Sequence, residues 1–252
     1  MTAPPKPLPS TRPTAVLFDL DDTLFDHTAT ARAALAASMA QLPLQQSVAF
    51  EELYQRYSEL LEEMHPQVLA GYYTYQEARR LRFQRLLAPY GALATEVEAD
   101  QFAQVHYAHY QRLRQPVPGS LALLEALKLH HRIGIITNNR TAEQEDKLRF
   151  LGLDQLVDVL ITSEEVGVTK PDPRIFLVAL QRLGAQPAET VLVGDNWQAD
   201  VVGALQVGIR PLWLNRFGAL RPDEQVEEVT SLEPLANVLQ KITAGFPEGA
   251  PS

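Results

Sequence analysis

The chain has 252 residues, 46% hydrophobic and 21% charged. That balance fits a globular protein with a sizeable core, as one large domain or a core plus a smaller module. A net charge of −9 argues against a general binder of nucleic-acid backbone, which needs a basic face. The absence of cysteine excludes disulfides and thiolate chemistry and is compatible with a reducing cytoplasm, and no apolar run approaches the length of a membrane span.

Residues 1–13, MTAPPKPLPSTRP, are rich in proline and lack the apolar region of a signal peptide, so a disordered leader is expected there. The next stretch, Ala15–Phe25 (AVLFDLDDTLF), begins as a buried strand and ends in three carboxylates. From His27 to Arg114 no strand-like run occurs. Amphipathic helices are expected at Ala29–Met39, Phe50–Met64, Gln76–Leu87 and Asp100–Arg112, with Thr74-x-x-Glu77 as a capping box. This region, 27–114, reads as a separate all-helical module inserted into a core of 14–26 and 115–243.

After Gln115–Ser120 (QPVPGS) the pattern changes to short apolar runs, Arg132–Thr137, Val157–Thr162, Val191–Asp195 and Arg210–Leu214. Helical patterns separate them: Ser120–Leu129, Thr141–Leu151 with a Thr141-x-x-Gln144 capping-box spacing, Pro173–Leu183 and Gln198–Val207. Glycine follows three of these helices, at 152, 184 and 208. Strand and helix alternation with short links predicts an α/β fold, a doubly wound, mostly parallel, Rossmann-like sheet. The tail, 244–252, is expected to be disordered.

In open parallel sheets ligands gather at the carboxyl ends of the strands. Those ends carry Asp19 and Asp21, Thr137 and Asn138, and Asp195, and Lys170 lies in a loop leading into a helix. Asp19 and Asp21 are two apart, which in extended backbone puts both side chains on one side. Two carboxylates there repel unless one holds a proton or a cation intervenes. Hard oxygen donors suit Mg²⁺, and Asp195 would complete the cluster. A carboxylate held against a metal can attack phosphorus, a second can move protons, and Thr137, backbone N–H groups near Asn138 and Lys170 can hold the phosphoryl oxygens.

Four segments together, FDLDDTL (18–24), IITNN (135–139), GVTKPDPRIF (167–176) and VGDNWQAD (193–200), resemble the haloacid dehalogenase-like hydrolase superfamily over about residues 14–240. The resemblance implies Asp19 as nucleophile and Asp21 as general acid/base that also gives the metal a backbone carbonyl. It implies Thr137 and Asn138 as phosphate-binding, Lys170 as steadying charge on nucleophile and phosphate, Asp195 as a direct metal ligand and Asp200 as a partner behind it. The insert resembles the family's helical cap, which closes over substrate. An acid at position 21 fits the family's phosphatases rather than its dehalogenases. No lysine occurs between His27 and Leu127, so the cap lysine of members that cleave carbon–phosphorus bonds is missing. IGIITNN, SEEVGVTKPDPRIF and WLNR together resemble the nucleotidase and sugar-acid phosphatase branch. Asp22 stands where many members carry glycine, and Trp197 follows Asn196.

The expected activity is a Mg²⁺-dependent phosphomonoester hydrolase of small phosphorylated metabolites, in the cytoplasm, with no nucleic-acid or membrane partner. Nucleoside monophosphates, sugar phosphates and phosphorylated acids stay open as substrates, as does the oligomeric state. A phosphomutase on the same chemistry and a non-catalytic phospho-aspartate signalling module are the competing readings. Beside these, His106 and His109, three apart, have no evident third ligand and are not expected to bind metal. Tyr72, Tyr73 and Tyr75 are expected to pack the helical module or its border, and the arginines of ARRLRFQR (78–85) to form a solvated helix face. His130 and His131 are expected to end a helix.

Overall fold

A computed structural model describes residues 13–42, 49–93 and 95–244. The expected leader, except Pro13, and the expected tail, except Ala244, lie outside the described residues. The chain divides after Asp26 and again after Gln115 into two compact units.

The first unit is built on six parallel strands: β1 (Ala15–Phe18), β2 (Arg132–Thr137), β3 (Val159–Thr162), β4 (Thr190–Gly194), β5 (Arg210–Leu214) and β6 (Glu227–Val229), in the spatial order β3-β2-β1-β4-β5-β6. This is the doubly wound order, with β1 at the point where the winding reverses. Phe18 lies level with Ile135 on one side and Val193 on the other, so β1, β2 and β4 end together. All four residues of β1 and all five of β4 are buried, as continuous apolar strands covered on both faces must be.

The helices of the second unit are α1 (His27–Met39), α2 (Phe50–Leu69), α3 (Tyr75–Leu87) and α4 (Glu96–Arg112); those of the first are α5 (Ser120–Lys128), α6 (Thr141–Leu151), α7 (Ser163–Val166), α8 (Pro173–Leu183), α9 (Gly203–Gln206) and α10 (Leu235–Thr243). A π-helical turn, Trp197–Val202, precedes α9. Apolar side chains on β1 to β4 and α8, among them Leu17, Ile136, Phe176 and Leu192, form one core cluster. Where the first unit hands the chain over and takes it back, Val117 N donates to Leu24 O (2.9 Å).

In the second unit, Leu35, Leu53, Leu60, Phe83, Leu86 and Phe102 form the apolar centre. The Thr74 capping box forms, and a second one, Thr95 with Glu98, opens α4 four residues earlier than its apolar periodicity indicates. α2 continues through Pro66 to Leu69, past the expected end at Met64.

Several expectations need correction. Thr141 does not cap α6: the cap residue is Arg140, without a side-chain bond, and Thr141 instead meets Glu164 through its N–H and Thr162 through its hydroxyl (2.6 Å). Tyr72 is 77% exposed rather than packed into the helical module. Arg82 is buried, not solvated, with its guanidinium 5.2 Å from the ring of Tyr57. β6 and α10 are not among the expected elements: α10 repeats apolar residues at Leu235, Val238, Leu239 and Ile242, a helical pattern that sequence reasoning passed over, whereas β6 is a three-residue edge strand with two glutamates, too short and too polar to stand out.

Candidate active site

The site lies at the carboxyl ends of β1, β2 and β4. Asp19 N donates to Val193 O (3.0 Å), carrying the β1–β4 ladder one residue past the strand. The chain then turns tightly: Leu24 N and Phe25 N both donate to Leu20 O (2.9 Å each), and Asp22 N to Phe25 O (2.7 Å). Asp22 has φ +61°, the left-handed region that favours glycine, which is why a glycine commonly suits this place. Its carbonyl accepts from Arg216 Nη1 (3.1 Å).

Lys170 is 5% exposed, and its ammonium donates to Asp19 Oδ1 (2.6 Å), Asp200 Oδ1 (2.6 Å) and Ile136 O (2.8 Å). All three protons therefore have acceptors. Its backbone is held as firmly: Lys170 N donates to Asn138 Oδ1 (2.7 Å), and Asn138 Nδ2 to Lys170 O (3.0 Å). The Asn138 side chain is thus spent on placing Lys170.

Asp200 is fully buried. Besides Lys170 it accepts from Asn196 N at Oδ2 (3.0 Å). It packs so close to the end of β4 that a Cβ on Gly194 would lie 2.4 Å from Asp200 Oδ2; only glycine leaves that room. Asp195 accepts from Thr23 Oγ1 (3.3 Å), and its carbonyl accepts from Trp213 Nε1 (2.7 Å).

One oxygen from each of Asp19, Asp195 and Asp200 lies within 4.8 Å of the others. Asp19 and Asp200 share the Lys170 ammonium, and Asp195 adds a third carboxylate beside them. Burial first, then the charges of Asp200 and Asp21, pushes Asp19 up to about 7 against the pull of Lys170. Burial, then Asp19 and Asp200, pushes Asp195 up to about 9. Burial acts against the Lys170 ammonium, but Asp19 and Asp200 outweigh it and hold the pKa above the ordinary lysine range. The surplus of negative charge on hard oxygen donors is what a divalent cation such as Mg²⁺ relieves, so the residues present fit a metal.

The residues singled out in the sequence converge. Asp200 has an oxygen within 4.8 Å of Asp19 and Asp195, and its two oxygens accept from Lys170 and Asn196 N. Asp21 turns its carboxylate to α6, where Lys147 Nζ donates to Oδ1 and Gln144 Nε2 to Oδ2 (3.1 Å). Gln144 Nε2 also lies 2.5 Å from Thr137 Oγ1. Sequence reasoning missed Lys147 and took Gln144 for a cap. The available signal was the three-residue spacing, which puts both on one helix face. Among the described residues His106 and His109 join no metal-competent group. His131 follows α5 and pairs its Nδ1 with Pro13 O (2.6 Å).

A doubly wound parallel sheet with acidic groups and a buried lysine at its carboxyl edge marks an α/β protein with its site where the strands end. The chain belongs to the haloacid dehalogenase-like hydrolase family, whose model matches residues 13–208. It is 30% identical over 230 residues to pyrimidine 5'-nucleotidase YjjG of Escherichia coli, covering 90% of this chain and 97% of that one. It is 32% identical over 207 residues to the glyceraldehyde 3-phosphate phosphatase of Methanothermobacter thermautotrophicus, covering 80% and 85%. The solved structure of the putative HAD-hydrolase YfnB from Bacillus subtilis, bound to magnesium, matches with a TM-score of 0.73 at 25% identity, over 91% of this chain and 99% of that one. The 2-haloacid dehalogenase of Pseudomonas syringae pv. Tomato matches with a TM-score of 0.61 at 30% identity, over 90% and 98%. Family membership therefore leaves the bond that is broken to be decided by the site. No described helix is long and apolar enough to cross a membrane.

Proposed function

We propose that the protein is a Mg²⁺-dependent phosphomonoester hydrolase acting through an aspartyl-phosphate on Asp19. The carrying observation is the group of Asp19, Asp195 and Asp200, with Lys170 bonded to the buried Asp19 and Asp200, and a further carboxyl group, Asp21, two residues from the nucleophile. That second acid favours phosphoryl transfer over dehalogenation, because an alkoxide leaving from phosphorus needs a proton and a halide does not.

Asp19 and Asp195, with the backbone carbonyl of Asp21 and with Asp200 close behind, would hold the metal. Bound there, Mg²⁺ would offset the repulsion between a phosphate dianion and the Asp19 carboxylate. A free Asp19 oxygen attacks phosphorus and the ester P–O bond breaks. Asp21 gives its proton to the departing oxygen. It then takes a proton from water, whose oxygen attacks the phosphoryl group, releasing inorganic phosphate and restoring Asp19. Thr137 Oγ1 and the N–H groups that follow it face the phosphoryl oxygens, and Lys170 steadies the Asp19 carboxylate in position. Product analysis separates this reaction from the phosphomutase reading, since a mutase returns the phosphoryl group to the sugar.

The helical unit His27–Gln115 is the cap in this reading. It contains no lysine, which sets aside Schiff-base chemistry from that unit. Nucleoside monophosphates and sugar phosphates are the substrate classes, in line with the names of the two curated relatives. We place the reaction in the cytoplasm, where such metabolites are found and where a cysteine-free chain needs no oxidant to fold. Purified protein is expected to release phosphate from p-nitrophenyl phosphate with Mg²⁺ and to stop when EDTA is added. Asp19→Asn is expected to lose activity by about a thousandfold or more; a variant that keeps full activity overturns the assignment.

A further inference from the structure

We infer that Lys147 is a positioning residue for Asp21, and that its effect falls on the hydrolysis of the aspartyl-phosphate rather than on its formation. The inference rests on the phosphatase reading above. Lys147 is 4% exposed and Gln144 fully buried. The two donate to different oxygens of the Asp21 carboxylate, so both oxygens are tied to one face of α6. The Lys147 ammonium also stands 4.9 Å from the ring centre of Phe25, in the turn that carries Asp21. A buried lysine–aspartate pair adds little to stability over an apolar pair of similar size. What it fixes here is the direction in which a carboxylate points.

The two half-reactions need that direction unequally. When the aspartyl-phosphate forms, the leaving oxygen is already bonded to phosphorus, so its place relative to the site is set. When it breaks down, a free water must be held and aimed by the base, and losing that alignment is costly. Gln144 extends the arrangement by joining Asp21 to Thr137, so α6 places the water-activating carboxylate and the phosphoryl-facing hydroxyl together.

p-Nitrophenyl phosphate separates the steps, because nitrophenolate leaves without a proton donor. For Lys147→Met, kcat is expected to fall at least about tenfold and KM by the same factor, leaving kcat/KM within about twofold of the parent. Rapid mixing is expected to show a burst of nitrophenolate approaching one equivalent per active site. Lys147→Arg, which keeps a donor toward Asp21, is expected to recover part of the kcat, and Gln144→Leu to show a weaker form of the same pattern. If Lys147→Met fails to fold, Gln144→Leu decides by the same readout. A kcat and kcat/KM that fall together, or that both stay at parental values, overturn the inference, since a merely structural defect lowers both equally. A parent protein that hydrolyses no ester brings down the phosphatase reading, and this assignment with it.

Discussion

Both units of the molecule bury basic side chains, and they treat them in different ways. At the carboxyl edge of the sheet, Lys170 has three acceptors and Lys147 a carboxylate. In the helical unit, Arg82 is 7% and His106 5% exposed, yet Arg82 Nε and His106 Nε2 have no hydrogen-bond partner. They pack instead on aromatic rings: the Arg82 guanidinium lies 5.2 Å from the centre of Tyr57 and the His106 ring 4.8 Å from that of Phe83. For Arg82, cation–π contact replaces part of the lost hydration, but an unpartnered buried nitrogen still costs about 1–3 kcal/mol. The paired ammonium groups at the sheet edge mark a place where charge is arranged for chemistry. The unpartnered nitrogens of Arg82 and His106 mark a core that tolerates a polar group for the sake of its rings and stem.

Substitutions at these residues sharpen the contrast. The largest effect is expected for Lys170→Met. It leaves Asp19 and Asp200 buried without their cation and removes about 3–5 kcal/mol of stability, read as a lower urea midpoint, together with loss of turnover. A variant as stable as the parent would show that the pairing holds nothing in place.

A smaller, pH-dependent effect belongs to His106. Burial, then the charges of Arg82 and Arg79, depresses its pKa to about 3, below the unfolded value near 6.5. A histidine held neutral contributes stability that is complete above pH 6.5. That stability drains as pH falls from there toward 3, by up to about 1.4 kcal/mol per pH unit. His106→Phe, with no titratable ring, is expected to be near neutral at pH 7.5 and more stable than the parent at pH 5. Parallel urea melts at the two pH values check this, and equal slopes for parent and variant would refute it. The smallest effect is expected at an exposed cap: Thr74→Ala removes the side-chain acceptor of Glu77 N and costs about 1 kcal/mol, read as a small drop in melting temperature.

The same contrast explains what could be read from sequence. α6 and α8 end where expected because Gly152 and Gly184 adopt positive φ, 69° and 57°, a local property that local sequence carries. Asp19 and Asp195 stood out because strand ends in a parallel sheet share one edge. Gln144 was misread for the opposite reason. Its spacing from Thr141 is the local signature of a cap, but its partners are Thr137 and Asp21, the latter 123 residues away. Tertiary bonding outweighed the local pattern, and no local pattern reports a partner at that distance. Arg82 was misread likewise: its charge reads as solvated, while its guanidinium lies over the rings of Tyr57, on another helix, and Phe83.

The central claim is that Asp19 carries the phosphoryl group between substrate and water. Acid quenching of a single turnover, borohydride reduction of any acyl-phosphate, and mass spectrometry of the peptides test it most directly. The account predicts reduction of the side chain at position 19 alone, absent from Asp19→Asn and from protein treated with EDTA. Reduction at another carboxyl group, or phosphate release with no reducible intermediate at any time point, would contradict it.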